Sequence, residues 1–193
     1  MAGRQAKVLS QGQMKALLHY VASTRYPSRD EVMVLLSHRA GLRAAEIAAV
    51  EWGMVLTAEG VVGDMLELHD RVAKRGGGGS IPLARDLRAA LTLLHAERKP
   101  DPSTTVVHSE RGARLTAGAV VQRFRVLYST LGFIGASSHS GRRGFITQAA
   151  RRISTVGGSI RDVQHLARHR SLSVTAGYID VDSDAQRRVV DLI

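Results

Sequence analysis

Residues 53 to 83 interrupt a sequence that is otherwise patterned for helices, and that interruption narrows the folds open to the chain. Inside it, "MVLT", "DMLELHD" and "GSIPLA" are short apolar or alternating runs set apart by glycines. Runs of that length and period suit the strands of a small antiparallel sheet, and three of them predict three strands. Between the last two runs lies "VAKRGGGG", in which Gly76 to Gly79 make a pliant hairpin tip with Lys74 and Arg75 at its base. No Gly-Lys-Ser/Thr follows, so the tip is not a phosphate-cradling loop.

Around this insert the pattern is helical. Ser10 with Gln13 has the spacing of a capping box before Met14, Leu17, Leu18 and Val21; Ser28 with Glu31 repeats it before Val32, Leu35 and Leu36. Gly41 ends that second helix, and "LRAAEIAAVEW" resumes helical spacing. "ARDLRAALTLLHAER" and "TAGAVVQRFRVLYSTLG" are amphipathic, the latter capped by Thr116 and stopped by Gly132. From "SSHSGRRGF" onward helix prevails again, broken at Gly157 and Gly158, and a last helix opens at Ser183. The expectation is a mainly α fold with a small three-stranded antiparallel β-sheet. A chain of 193 residues can bury roughly 70% of its unfolded surface around one core, so a single domain over 1–193 is expected. Its parts are N-terminal helices over 1–52, the sheet insert over 53–83, a helical core over 84–178 and a tail over 179–193.

Charge points to a partner. Lys plus Arg number 27 against 17 Asp plus Glu, a formal net charge of +10. That balance favours a polyanion, most often nucleic acid; a basic but unspecialised surface is the alternative. The absence of cysteine excludes disulfides and thiolate metal sites. The longest apolar runs, such as "VMVLL", fall far short of a membrane span, and no charged-then-apolar leader opens the sequence, so a soluble cytoplasmic protein is expected. Against 23 arginines there are only four lysines, and Lys74 is the one lysine between positions 15 and 99. An ammonium can release a proton near neutral pH when its pKa is lowered, whereas a guanidinium effectively cannot.

Several short patterns could carry chemistry. His139 and Arg142, three apart on a helix, would share a face and reach one ligand. Arg43 with Glu46 in "GLRAAEI" reads either as a surface ion pair or as an arginine steadied by a carboxylate and aimed into a cleft. His165 and His169 have a spacing that can chelate a metal on one helical face. Leu166 stands where a zinc-type HExxH motif has its glutamate, so metal is the less favoured reading. Tyr178, after "SVTAG", reads by itself as an ordinary half-buried tyrosine.

Taken in order, "GLRAAE", a hairpin lysine before "IPL", H-x-x-R, "LARH" and a tyrosine resemble the catalytic domain of the tyrosine recombinases, the phage integrase family. The resemblance runs over nearly the whole chain: "VLSQGQMKALL" is similar to the start of that domain and "SLSVTAGYI" to the stretch ending at its nucleophile. It implies a tyrosine recombinase catalytic-domain-like fold. It also implies that Arg43 and Arg142 are the two catalytic arginines, Lys74 the hairpin lysine, His139 the histidine of H-x-x-R and His169 the position filled by histidine or tryptophan. Tyr178 matches the nucleophile and Glu46 the carboxylate supporting the first arginine. His165 falls outside the pattern. For Arg75, Arg143, Arg151 and Arg152, contact with the DNA backbone and plain solubility are both open.

The implied chemistry accounts for the residue types. Attack of a side-chain hydroxyl on a phosphodiester builds negative charge on a pentacoordinate phosphorus, which two planar guanidinium forks can hold without deprotonating. His169 would add a donor, His139 would accept the proton of Tyr178, and Lys74 would protonate the departing 5′ oxygen. A site this cationic needs no metal, and the 3′-phosphotyrosyl product conserves the bond energy, so the reaction needs no nucleotide cofactor. Two positions depart from the family pattern. Gly141 replaces an apolar residue, at a helical cost of roughly 1 kcal/mol, and Arg168 replaces a glycine. The resemblance further implies a short member without a separate N-terminal core-binding domain, or a catalytic fragment of something longer, with one-sided and salt-dependent DNA contact. Its implied partners are double-stranded DNA, further copies in a tetramer on paired sites and an accessory DNA-binding protein, within a bacterial nucleoid. Val189, Val190, Leu192 and Ile193 give the tail an apolar face expected to dock on a neighbouring protomer. A type IB topoisomerase and a catalytically silent DNA-binding regulator of the same fold are the rival readings.

Overall fold

The computed structural model describes residues 5–73, 76–179 and 183–191. Among them run α1 (Gln11–Val21), α2 (Pro27–Arg39), α3 (Ala44–Ile47), β1 (Met65–Leu68), β2 (Gly79–Pro82), α4 (Arg85–Arg98), α5 (Ala117–Thr130), α6 (Ser140–Arg152), α7 (Ile160–Leu166), α8 (Leu172–Ala176) and α9 (Ser183–Val190). The chain divides into two compact units between Phe145 and Ile146, inside α6. Lys74, Arg75, Leu192 and Ile193 lie outside the described residues. No described helix is long and apolar enough to cross a membrane.

The first unit is built around α2, whose run Val32 to Ser37 is buried residue after residue because α1 and α4 both pack on it. Its start differs from the expected Ser28–Glu31 capping box. Pro27 opens the helix with Tyr26 at the cap and no side-chain cap bond. Proline lacks the N–H that a cap would satisfy and its φ already suits the first helical position, so it sets the boundary. Ser28 instead donates to Glu97 of α4 at 2.8 Å. Ser10 and Gln13 do form the reciprocal box of α1, and Thr116 accepts from the N–H of Ala119 to cap α5.

A buried carboxylate joins α2 to α5. Asp30 is fully buried and accepts from Arg29 Nε and Nη2, from Thr24 Oγ1 at 2.9 Å, and from both Nε and Nη2 of Arg123. Desolvation of a lone carboxylate would be costly, and these paired donors are what make the burial tolerable.

Among the described residues the sheet has two strands, not three. β1 and β2 pair antiparallel with Leu66 opposite Ile81, both turned into the core. The first apolar run forms a 3₁₀ turn over Trp52–Met54 and a lone antiparallel bridge between Leu56 and Val62. Tertiary packing accounts for this difference. Trp52 is fully buried, its main-chain N–H goes to Thr104 O at 3.0 Å, and the N–H groups of Met54, Val55 and Leu56 bond back to Glu51 and Trp52. Amides committed to a local turn cannot also extend a ladder.

The second unit is shorter. A 3₁₀ turn over Ile153–Val156 follows α6, and α7 opens on Ser159, whose N–H and hydroxyl both donate to Asp162. α7 packs on α8, and Val163, Ala167 and Thr175 are buried. In α9, Val189 and Val190 are 58% and 66% exposed, a wide apolar exposure for a helix of eight residues.

Candidate active site

Arg43 occupies the cap position of α3 with extended backbone. A guanidinium has no acceptor, so only the reciprocal half of a capping box forms. The Glu46 carboxylate accepts the main-chain N–H of Arg43 at 2.8 Å through Oε2 and its Nη1 at 2.7 Å through Oε1. The Glu46 side chain is 1% exposed and that of Arg43 27%, which leaves part of the guanidinium facing water. One buried carboxylate thus starts the helix and orients the arginine.

Arg142 lies in the first turn of α6, buried, and its Nη1 donates to the carbonyl of Gly41 at 2.6 Å. Gly41 is two residues before Arg43, so both guanidiniums depend on the loop between α2 and α3. That loop needs glycine on two counts: its φ is +62°, and a Cβ there would stand 2.5 Å from Phe145 Cδ1.

Gly141 has a related explanation. The sequence predicts that it weakens α6; in the structure it lets α6 approach α2, since a Cβ would meet Ser37 Oγ at 2.1 Å and Ser37 Cβ at 2.8 Å. His38, on the same stretch of α2, shares a 3.2 Å hydrogen bond with the Tyr128 hydroxyl. Burial, helped by the charge of Arg39, lowers the pKa of His38 to about 4, and burial raises that of Tyr128. The contact between Gly141 and α2 is therefore close, and the His38–Tyr128 pair beside it is uncharged at neutral pH.

His139 stands one residue ahead of α6 instead of within it. Its N–H donates to Ser137 Oγ at 3.3 Å, its carbonyl accepts the N–H of Arg143, and its side chain is exposed. Arg143 is half-buried and bonded to Gln5, while Arg151 and Arg152 are exposed in the last turn of α6.

In the second unit α7 ends at Leu166, so His165 and His169 do not share a helical face. Arg168 takes a left-handed φ of +53°, the conformation glycine adopts most readily, and the reversal delivers His169 to a buried position. The imidazole stacks on the Tyr178 ring at 5.3 Å between centroids. Gln164 brackets His169 by accepting its N–H and donating to its carbonyl, both at 3.0 Å. His169 Nδ1 lies 3.0 Å from Thr175 Oγ1, the carbonyl of Thr175 accepts the N–H of Tyr178, and Thr147 Oγ1 donates to the Tyr178 carbonyl at 2.9 Å.

Arg43, Glu46, His139 and Arg142 accordingly belong to the first unit and His169 and Tyr178 to the second. Sequence reasoning missed Thr147 and Thr175, which resemble any other small polar helix residues. The one signal for Thr175 is its place, one helical turn before the tyrosine.

Residues 7–185 match the family model of the phage integrase family. The chain is similar to tyrosine recombinase XerC of Rhizobium meliloti (strain 1021), with 28% identity over 170 residues. The alignment covers 85% of this chain and 49% of the relative, so the chain spans about half the length of the curated protein it matches. Its fold is similar to that of the Tn1549 transposon integrase in complex with a circular intermediate DNA, with a TM-score of 0.76, 17% identity, and coverage of 100% of this chain and 67% of that one. It is also similar to XerA recombinase, with a TM-score of 0.74, 22% identity, and coverage of 96% and 64%. A lambda integrase dimer bound to a COC′ core site matches with a TM-score of 0.67, 20% identity, and coverage of 90% and 48%. At these identities the structural likeness speaks for the fold.

Proposed function

The chain belongs to the phage integrase family, and on that premise we propose that it is a site-specific tyrosine recombinase that cleaves and rejoins DNA strands through a 3′-phosphotyrosine intermediate. The observation that carries this reading is the loop from Gly41 to Arg43, which ends on one guanidinium, held by Glu46 of α3, and anchors a second, that of Arg142, through its first carbonyl. Two fixed forks of N–H donors suit the non-bridging oxygens of a phosphodiester and the charge that grows on them.

In this reading Arg43 and Arg142 hold the scissile phosphate, with His169 as a further donor. The Tyr178 hydroxyl attacks phosphorus and its proton passes to His139. The bond from phosphorus to the 5′ oxygen breaks, and Lys74 protonates the departing oxygen. The phosphotyrosyl bond keeps the energy of the cleaved bond, so a second 5′ hydroxyl can reverse the step on a new partner strand without a nucleotide. Double-stranded DNA is the proposed substrate, bound largely through phosphate contacts and hence weakened steeply by salt. Arg75, Arg143, Arg151 and Arg152 are candidates for those contacts. A cytoplasmic tetramer on paired sites, aided by an accessory DNA-binding protein, completes the proposal. Docking of the exposed Val189 and Val190 on a neighbouring copy would hold the protomers together; a protein lacking residues 183–193 that still assembles on DNA would count against that docking.

The test is a duplex from the DNA flanking the gene, nicked so that cleavage is irreversible. Wild type is expected to give a covalent protein–DNA band that is absent in Tyr178→Phe. Binding without an adduct across several such duplexes would favour the silent DNA-binding regulator.

A further inference from the structure

We propose that Thr175 is a positioning residue that sets the tautomer of His169, holding Nδ1 as an acceptor so that Nε2 carries the proton offered to the phosphate. This deepens the recombinase reading and rests on it. Thr175 is fully buried on α8, and its Oγ1 lies 3.0 Å from His169 Nδ1. The same residue receives the N–H of Tyr178 on its carbonyl at 3.0 Å, and the Tyr178 ring stacks on the imidazole. One threonine therefore touches both the proposed donor and the chain of the proposed nucleophile.

The chemistry of a neutral imidazole makes the contact consequential. Only one ring nitrogen carries hydrogen, and the partner of the other decides which. A phosphate oxygen offers lone pairs only, so a bare Nε2 facing it would repel where a protonated one attracts. A threonine hydroxyl can donate or accept; by donating to Nδ1 it leaves the ring proton on Nε2, the form that a phosphate oxygen requires. Gln164 bonds the main chain of His169 on both sides, and Thr175 and the stacked ring of Tyr178 both touch the imidazole itself. Behind metal-bound histidines, residues that orient the imidazole in this way change activity by about 10–100-fold when removed, and a loss of the same order is expected here.

The experiment uses the full chain labelled with ¹⁵N-histidine, at a pH where the ring is neutral. His169→Gln identifies the His169 signals among those of the other histidines, and bare and protonated ring nitrogens resonate far apart. Wild type should show a bare Nδ1 and a protonated Nε2. Thr175→Val, which keeps the shape but removes the hydroxyl, should lose that preference, and Thr175→Ser should keep it. On the nicked duplex, adduct formation should fall about 10–100-fold in Thr175→Val and stay near wild type in Thr175→Ser, with DNA binding unchanged in both. A bare Nε2 in wild type overturns the proposal, as does a Thr175→Val protein with the wild-type tautomer and rate. Should Thr175→Val fail to fold, the wild-type and Thr175→Ser spectra still decide. If wild type forms no adduct on any duplex, the recombinase reading fails, while the spectra judge the role of Thr175 independently.

Discussion

Replacing Gly141 by alanine tests the account of how α6 is seated. On propensity alone the change should help, because alanine is better than glycine inside a helix by up to about 1 kcal/mol. The structure predicts the opposite sign. The new Cβ would stand 2.1 Å from Ser37 Oγ, 2.8 Å from Ser37 Cβ and 2.9 Å from His38 Cδ2. Carbon atoms prefer about 3.5–4.0 Å. The hydroxyl can rotate away, but Ser37 Cβ is fixed to the backbone of a fully buried helix position, so α6 and α2 must part by more than about half an ångström. Overpacking of this kind costs about 1–3 kcal/mol, which exceeds the propensity gain. Gly141→Ala should therefore lose about 1–2 kcal/mol, a fall in Tm of about 3–6 °C for a chain of this size. Thermal melts and urea titrations read this directly, with an unchanged m-value showing that stability and not compactness has moved. Ser37→Gly in the same chain removes two of the three close contacts, and a double-mutant cycle should recover about 1 kcal/mol. A Gly141→Ala protein with Tm at or above wild type would refute the close-approach argument and return Gly141 to the status of a weak helix residue.

Two further outcomes follow from the same region. His38 has a folded pKa of about 4 against an ordinary value near 6.5, so the folded protein binds fewer protons than the unfolded chain in that window. Its contribution is complete above pH 6.5 and is lost as pH falls toward 4, by at most about 3 kcal/mol; Tm measured across that range should fall more steeply in wild type than in His38→Gln, and parallel profiles would contradict the assignment. Glu46→Gln keeps the size of the side chain but weakens two charge-assisted bonds to Arg43, and should cost about 1.5–3 kcal/mol together with adduct formation. A variant as stable and as active as wild type would show that Arg43 is steadied by something else.

Where local chemistry decides, the structure was legible in advance. The helical class, the family and the caps at Ser10 and Thr116 follow from residue types at fixed offsets, as does the turn at Gly41. Where a distant partner decides, it was not. "MVLT" has the composition of a strand, but the burial of Trp52 and its bond to Thr104 turn it into a 3₁₀ segment. Ser28 and Glu31 have the spacing of a cap, but Pro27 takes the helix start. Gly141 reads as a weak spot until Ser37 is seen against it, and nothing in "SVTAG" says that its threonine faces a histidine six residues away. His139, Arg142, His169 and Tyr178 could be singled out because the chemistry they suggest demands those residue types. The groups behind them only need to be the right shape, and many residues satisfy that.

The bond from Arg142 to Gly41 has a consequence for how such chains lose function. Because the guanidinium is fastened to a main-chain carbonyl at a left-handed glycine pressed by Phe145, a substitution at that glycine would displace both arginines while leaving each in the sequence. A descendant carrying that single change would still display every motif residue and would pass any census of them. Among related chains, then, the difference between a working copy and a decayed one can reside at a residue with no side chain at all.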